Sequence, residues 1–294
     1  MDVIEYTDAM CSWAWGTEPK LRLLRWRFEE QIDSWRVVMG HLVEDDHMPD
    51  RDPVAQAPEL QAYWKVVCDQ TGMPRPDPLR RSPTGSLASG LAVKAARLQG
   101  PEVADGMLRR MREATFVDGQ PADTIDRAIG AGHDVEGLDV DALALAMASP
   151  EVRDAYRRDG EETRNPNRHV LELEGDRPGI GRAREAKDGR MRFVFPTIVV
   201  RSADGEWTVP GWMPYEAYEQ ALFDAGAVAG QNSVARPRPD EAFARWPTLA
   251  ETEFRFLCGS DAEIPAEVET TTWAGGTIHR RPSSRPLAGE GGSR

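Results

Sequence analysis

A single cysteine between a strand and a helix constrains this chain more than any other feature. The β-branched run Val3-Ile4-Glu5-Tyr6 predicts a buried strand, and the amphipathic segment 18–32 predicts a helix. Cys11 lies between the two. Because the first turn of a helix has unpaired N–H groups and the positive end of the helix dipole, a thiol there is expected to ionise easily. Cys11 is therefore a candidate nucleophile, expected to alkylate faster than Cys68 or Cys258.

The next strand fixes which residues lie near this thiol. Residues 35–42 predict a second strand, so that the first 42 residues form a βαβ unit with parallel strands and a right-handed crossover. The carboxyl ends of both strands then meet at one edge of the sheet, which brings His41 near Cys11. His41 is a possible base for the thiol. The alternative is a structural histidine at the end of a strand.

The residues around Cys11 resemble the C-S-W-C-W-G signature of cytosolic DsbA-like proteins, the FrnE and YjbH relatives within the thioredoxin superfamily. The matching stretch is Cys11-Ser12-Trp13-Ala14-Trp15-Gly16. Every position matches except the second cysteine, which is replaced by Ala14. The family's cis-proline loop has a counterpart in 195–197, and its entry into the last helix has one in 211–215. The resemblance covers roughly residues 1–225 and implies an α/β, thioredoxin-like fold.

This resemblance also implies a set of site residues. It makes Cys11 the catalytic residue, and Pro196 a cis-proline whose preceding backbone hydrogen-bonds an extended substrate. The substrate-binding residues implied are those that flank the thiol and the proline: Ser12, Trp13, Ala14, Phe195, Pro196 and Thr197. Trp13 is expected to be more exposed than Trp15. The histidines are scattered without metal-ligand spacing, so no metal is expected.

Composition and pattern divide the chain around a large helical insertion. The predicted units are 1–42 with 190–230 as a discontinuous thioredoxin-like domain, 43–165 as the helical insertion, 166–189 as a long loop, 236–280 as a small C-terminal module and 281–294 as a disordered tail. Both junctions of the insertion lie at the edge that holds Cys11, so the insertion should cover that edge. The module is too small for a core of its own. It should therefore dock on the main domain or on a second subunit, which leaves a homodimer open.

Charge and cysteine content bound the partners and the compartment. The 294 residues carry a net charge of −13, which disfavours nucleic-acid binding. No apolar run approaches the ~20 residues of a membrane span, and no basic leader precedes the first strand. The three cysteines include no close pair. We therefore expect a cytoplasmic protein in which Cys68 and Cys258 are packing residues, able to pair with Cys11 only if the Cα atoms come within about 7 Å.

The alanine at position 14 leaves several functions open. A thiol without a resolving partner can still form mixed disulfides, so the first hypothesis is a monothiol thiol–disulfide oxidoreductase. It would bind no cofactor and would use a low-molecular-weight thiol as co-substrate, with protein or peptide thiols and disulfides as partners. The resemblance also allows a thiol transferase similar to kappa-class glutathione transferases, or a non-catalytic adaptor of the YjbH type. Whether the chain is an enzyme, and whether Ala14 is natural or engineered, stay open at this point.

Overall fold

A four-stranded sheet forms the centre of the protein, a computed structural model of which describes residues 1–43, 52–174, 181–229 and 235–282. The strand order is β2-β1-β5-β6. These strands span Asp2–Thr7 (β1), Ser34–Met39 (β2), Thr197–Ser202 (β5) and Gly205–Pro210 (β6). β1 runs parallel to β2 and antiparallel to β5, and β6 closes a hairpin with β5. This is the predicted thioredoxin-like sheet.

Both faces of β1 are covered, and all of its residues from Val3 to Thr7 are buried. Val3 packs with Leu24 and Phe28 of the helix α2, Glu18–Phe28, on one face. On the other face Ile4 and Tyr6 pack in a separate apolar cluster. A strand that is covered on both faces has no side that faces solvent, so its sequence shows little regular alternation of apolar and polar residues.

The predicted second strand is three residues too long at its carboxyl end. β2 stops at Met39, and residues 40–43 form an irregular segment. The amide of Gly40 still donates to the carbonyl of Thr7. The amide of Leu42 donates instead to the side chain of Asp8, at 3.0 Å. The carboxylate therefore replaces a backbone partner and ends the strand.

Helices fill the segment between β2 and β5. They are α3 (Pro53–Thr71), α4 (Leu87–Arg97), α5 (Pro101–Phe116), α6 (Ile125–Gly132), α7 (Val140–Ala148) and α8 (Pro150–Thr163). All six lie within the predicted helical insertion, 43–165. Most of them share one apolar cluster with Met39 of the sheet. α3 lies over the short helix α1, Ser12–Trp15, so the insertion covers the edge that holds Cys11, as predicted.

The long loop predicted over 166–189 is wrong in part. The described residues there include the helix α9, Arg168–Glu172, and the strand β3, Arg184–Glu185, which pairs with β4, Met191–Arg192. Asn167 caps α9 by accepting from the amide of Val170 at 3.1 Å. Elements this short bury one or two side chains each, and apolar periodicity therefore gives no signal for them.

The second half of the sheet begins later than the sequence suggests. The apolar run that begins at Phe193 is longer than the strand within it, because β5 begins at Thr197. The hydroxyl of Thr197 donates to the carbonyl of Val194 at 2.6 Å, which marks a turn just before the strand. A turn at 202–205 joins β5 to β6, and α10, Tyr215–Asp224, follows.

The C-terminal module docks on the same chain's main domain, one of the two arrangements expected. It contains α11 (Pro239–Arg245), β7 (Thr248–Ala250), α12 (Glu251–Cys258), β8 (Glu269–Trp273) and β9 (Gly276–Arg280). Phe254 and Leu257 of α12 pack in the same cluster as Leu24 of α2. The predicted disordered tail falls almost entirely on residues 283–294, which lie outside the described residues.

Buried charges join the module to the rest of the protein. Arg109 of α5 makes a bidentate ion pair with Glu253 of α12, with nitrogen–oxygen distances of 2.9 and 2.8 Å. We call the connected set the junction cluster: Glu5, Glu18, Arg22, Arg109, Arg112, Glu113 and Glu253. All seven are at most 9 % exposed. Removing one partner of such a pair leaves a buried, uncompensated charge.

No helix among the described residues is both long enough and apolar enough to cross a membrane.

Candidate thiol site

The turn after β1 positions the candidate nucleophile. Cys11 is the N-cap residue of α1, with extended backbone at φ −88° and ψ 112°. Its amide donates to the carbonyl of Asp8 at 3.2 Å, which closes the turn. The helix that follows has only four residues, and the chain turns at once into α2. The thiol thus lies at a helix terminus, as predicted, although the helix is short.

The thiol lies against the loop that holds the proline. Its Sγ donates to the carbonyl oxygen of Phe195 at 3.4 Å. The Phe195–Pro196 peptide bond is cis. Two segments separated by more than 180 residues therefore meet at the sulfur atom. This contact occupies the carbonyl to which the resemblance assigns a hydrogen bond with an extended substrate.

The thiol is not a stabilised thiolate in this structure. Burial, with a smaller contribution from the neighbouring carboxylate of Asp8, raises the pKa of Cys11 to about 11. The backbone N–H groups of Ala14 and Trp13 oppose this effect but do not overcome it. The expectation of an easily ionised thiol is therefore wrong for this conformation. The sequence shows the helix terminus, but it does not show that the sulfur is enclosed.

Asp8 is the buried acid of the site. Its two carboxylate oxygens accept from the amide of Met10 at 2.8 Å, the amide of Leu42 at 3.0 Å and the hydroxyl of Ser86 at 3.1 Å. Burial raises its pKa, while these donors lower it. Asp8 thus ties the end of β1 to the residues after β2 and to the insertion. Its charge acts on the Cys11 sulfur from a fixed position.

A cavity of about 490 Å³ opens beside the thiol. Its lining residues come from the turn, the insertion and the β3–β4 hairpin: Met10, Cys11, Ser12, Trp13, Leu42, Val43, Leu60, Tyr63, Trp64, Pro83, Arg184, Glu185, Arg192, Val194 and Phe195. Cavities of this size accommodate small molecules. The predicted residues Ser12, Trp13 and Phe195 line it. Ala14, Pro196 and Thr197 are buried next to the site without lining it.

The two tryptophans of the motif are both buried. Trp13 was expected to be the more exposed of the two, and it is so only slightly, at 7 % against 0 %, because its side chain lies under α3 and its Nε1 donates to the hydroxyl of Tyr63 at 2.8 Å. Trp15 packs on Phe116 and donates to the carbonyl of Pro74. The helical insertion is responsible for the burial of Trp13, because it covers the edge of the sheet where Trp13 would otherwise meet solvent.

His41 has a packing role rather than a position next to the sulfur. Its ring stacks on Tyr156 of α8 at a centroid distance of 4.1 Å. Its Nε2 lies 3.3 Å from the carbonyl oxygen of Tyr156. A side chain at Gly160 would overlap the ring, so α8 is shaped around this histidine. His41 is also absent from the cavity lining. The possible role of His41 as a base for the thiol is therefore wrong, and the alternative, a structural histidine, describes its position.

Comparisons with known proteins identify the family. The thioredoxin family model matches residues 5–167, which is more than half of the chain. The chain belongs to the thioredoxin family. Within that superfamily it is a DsbA-like protein, as the motif and the sheet order indicate.

Two curated relatives of this thioredoxin-family chain carry the same name. The ClpXP adapter protein SpxH of Halalkalibacterium halodurans is 28% identical over 171 residues, which covers 56% of this chain and 54% of that protein. The SpxH of Shouchella clausii is 26% identical over 164 residues, covering 55% and 53%. The chain thus spans about half the length of the curated relatives it matches.

Solved structures with the same fold cover more of the chain. A putative protein disulfide isomerase from Nitrosomonas europaea has a TM-score of 0.57 at 16% identity, covering 76% of this chain and 96% of that one. The cytosolic disulfide reductase DsbM from Pseudomonas aeruginosa has a TM-score of 0.51 at 17% identity, covering 76% and 99%. At such identities these likenesses establish the fold of the DsbA-like domain.

The remaining cysteines of this DsbA-like chain are free thiols in other surroundings. Cys68 lies on α3, where its Sγ donates to the carbonyl of Pro74 at 3.8 Å and burial raises its pKa to about 12. Cys258 ends α12 and is only partly buried, and its pKa is raised to about 11. Both have the packing environments that the sequence predicted.

Sequence reasoning missed most of the cavity lining, including Tyr63, Arg184 and Arg192. Tyr63 is reached only because α3 folds back over α1, and no spacing in the sequence connects it with Trp13. Arg184 and Arg192 stand opposite each other in the β3–β4 pair. They fall in or beside the segment interpreted as a loop, where an arginine usually means a solvated surface. Among the described residues no group of histidine, cysteine and acidic side chains is arranged to hold a metal.

Proposed function

We propose that this protein is a DsbA-like thiol–disulfide oxidoreductase that acts through Cys11 alone. One observation carries the proposal: the Cys11 sulfur lies at the wall of an open cavity and contacts the carbonyl just before the cis-proline. That carbonyl is an acceptor which an incoming extended substrate can use once the thiol releases it. The fold of the DsbA-like neighbours supports the same conclusion.

The exchange step requires no group other than the thiol and its substrate. The Cys11 sulfur attacks one sulfur of a disulfide, so that a Cys11–S–S–R bond forms and the original S–S bond breaks. The departing sulfur takes up the proton that Cys11 gives up, and a thiol leaves. Ala14 supplies no second sulfur, and it is buried beside Cys11. A low-molecular-weight thiol from outside must therefore resolve the adduct as co-substrate.

The raised pKa of Cys11 determines the expected rate of thiol–disulfide exchange. With a pKa of about 11 the resting thiol is almost fully protonated at neutral pH, so exchange should be slow and should accelerate as the pH rises. The substrates we propose are protein or peptide disulfides, or small thiols and disulfides. The three free cysteines are in keeping with the reducing cytoplasm as the proposed location.

The test is the mass of the protein after exposure to 2-hydroxyethyl disulfide. We expect an adduct mapped to Cys11, besides any at the partly exposed Cys258, that is removed by added dithiothreitol. The Cys11→Ser variant should lack this adduct, whereas a Cys258→Ser variant should retain it. An adduct found only at Cys258 or Cys68 would contradict the proposal.

A second candidate function is that of a non-catalytic adaptor. The observation in its favour is that both curated relatives are named ClpXP adapter proteins. The buried, protonated thiol and the missing second cysteine also suit a domain that binds a partner without redox chemistry. The test is co-elution of the chain with purified ClpX in size-exclusion chromatography. Binding retained in Cys11→Ser, together with no adduct in the wild type, would favour the adaptor.

A further inference from the structure

Two arginines are placed side by side at the mouth of the thiol cavity. Arg184 and Arg192 are direct cross-strand partners in the β3–β4 pair, and both line the cavity. Like charges directly opposite each other in a sheet are unfavourable. Among the described lining residues, the one carboxylate is that of Glu185, which is exposed. Two guanidinium groups thus line the cavity beside a single described carboxylate, in a chain whose overall charge is −13.

The surroundings of Arg192 explain how it is held without a counter-ion. Its Nη1 donates to the carbonyl of Phe193 at 2.8 Å, and its guanidinium lies over the Phe195 ring at 4.7 Å. Among the described residues no carboxylate comes within ion-pair distance of it. A guanidinium has five N–H donors, and this contact uses one of them. Arg192 is only partly buried and lines the cavity, so its remaining donors face the space that a ligand would occupy.

The neighbouring acids are already committed to other arginines. Asp188 pairs with Arg164 and Arg190, and Glu161 pairs with Arg190. Burial lowers the pKa of Arg192, and the charges of Arg164 and Arg184 lower it further, while the nearby Cys11 and Asp8 raise it. An anion in the cavity would relieve this repulsion between the guanidinium groups.

We propose that the cavity selects small thiols and disulfides that carry a carboxylate, and that Arg192, beside Arg184, binds this carboxylate while the sulfur meets Cys11. The proposal rests on the function proposed above and deepens it by naming the substrate class. The volume of about 490 Å³ favours a small molecule over a folded partner. Bidentate recognition of a carboxylate is what a guanidinium does better than an ammonium group.

The experiment compares three small disulfides that differ in charge. They are 3,3′-dithiodipropionate (a dianion), 2-hydroxyethyl disulfide (neutral) and cystamine (a dication), and the readout is the rate of adduct formation at Cys11 by mass spectrometry. Each rate is divided by that of free N-acetylcysteine amide. We expect the dianion to be favoured over the neutral disulfide by about tenfold, the effect of one charge-assisted hydrogen bond. Because the ratio compares two disulfides on the same thiol, a change in the Cys11 pKa cancels.

Variants assign the selectivity to the proposed residue. Arg192→Gln should abolish the preference for the dianion, and Arg192→Lys should keep part of it. The matched control is Arg190→Gln in the connection between β3 and β4, since Arg190 is about half exposed and bound to Glu161 and Asp188. It should leave the ratio unchanged. A preference for the dianionic disulfide that survives in Arg192→Gln would overturn the proposal.

A second measurement separates this proposal from the exchange chemistry. S-methylglutathione carries carboxylates but no thiol, so calorimetry reports its binding whether or not Cys11 reacts. Binding that is lost in Arg192→Gln and kept in Cys11→Ser supports the carboxylate site even if no disulfide reacts at Cys11, in which case only the exchange function fails. Equal reaction of all three disulfides, with binding indifferent to Arg192, would overturn the carboxylate site and leave the exchange function intact.

Discussion

The junction cluster and the thiol cavity both place charged groups out of water, yet they do so in opposite ways. In the cluster every guanidinium has carboxylate partners, as Arg109 has in Glu113 and Glu253. In the cavity Arg192 rests on an aromatic ring and a carbonyl, and faces a second arginine. Matched charges fix the module to the domain. The unmatched charge is the one we assign to a ligand.

The titration of the two regions shows the same contrast. Although burial alone would raise it, the arginines around Glu18, led by Arg112, lower its pKa to about 2. Burial raises the pKa of Cys11 to about 11, and no cation close enough overcomes that effect. A cluster that keeps its members ionised contributes to stability. The cavity keeps the Cys11 thiol protonated, so Cys11 needs a change in its surroundings to become a thiolate at neutral pH.

The largest effect should come from breaking the junction cluster. Glu253→Gln removes the bidentate carboxylate partner of Arg109, which keeps Glu113, and one of the two partners of Arg22, which keeps Glu18. Because a buried ion pair is broken, the free energy of unfolding should fall by about 3 kcal/mol. The control is Lys65→Gln, which loses an exposed pair with Asp69 and should cost about 0.3–0.5 kcal/mol. Urea denaturation measures both.

The same assay on Arg192→Gln tests the comparison itself. Because Arg192 has no ion-pair partner among the described residues, its loss should cost far less than that of Glu253. A cost equal to that of Glu253→Gln would show that the cavity charge is structural.

The next largest effect concerns the reactivity of the three cysteines. Because the pKa of Cys11 is about 11, its thiolate fraction should rise about tenfold per pH unit between pH 7 and 10, and its alkylation rate with it. Cys258 has a similar pKa but is partly exposed, so iodoacetamide should label it before Cys11. Peptide mapping over a pH series gives both rates. If Cys11 were labelled first and its rate reached a plateau near pH 8, the original expectation of a stabilised thiolate would be correct.

A smaller effect is expected from the buried acid. Asp8→Asn removes the negative charge that raises the pKa of Cys11, so Cys11 should alkylate a few-fold faster at pH 8. The neutral amide also loses one of the acceptors for Met10, Leu42 and Ser86, which should cost about 1–3 kcal/mol of stability. The rates are compared with that of Cys68 in the same sample. An unchanged Cys11 rate would remove Asp8 from the electrostatics of the site.

Much of the fold is predictable from the sequence, because long helices and buried strands leave periodic signals. The pairing of β1 with β2 and the hairpin at 202–205 follow directly from such signals. The helical insertion was predicted to cover the edge that holds Cys11, but its consequences for single residues were not. That Trp13 is covered, and Cys11 enclosed, depends on where α3 comes to rest. Packing between distant segments is not encoded in local spacing.

The site is predictable only where its residues lie in the recognised motifs. Cys11, Phe195 and Pro196 were found from the strand-to-helix turn and the resemblance, and the structure brings them together. Arg192 and Tyr63 escaped because each reaches the cavity through tertiary structure. His41 was placed correctly at the end of β2 but turns to α8. The direction in which a side chain leaves an irregular segment cannot be derived from the strand pattern.

The most direct test of the account is the lifetime of a mixed disulfide on Cys11 in the wild type and in Ala14→Cys. Position 14 is one helical turn after Cys11, so a cysteine there can attack the adduct from within the chain. Cys68 and Cys258 are replaced by serine in both proteins, Cys11 is converted to its mixed disulfide with 2-mercaptoethanol, and the loss of this adduct is followed by mass spectrometry. We predict that the adduct persists in the protein with Ala14 until a thiol is added. In the Ala14→Cys protein it should be released unaided, as a disulfide forms between residues 11 and 14. Equally fast release from both proteins, or no adduct on either, would contradict the assignment of Cys11 as a monothiol exchange centre.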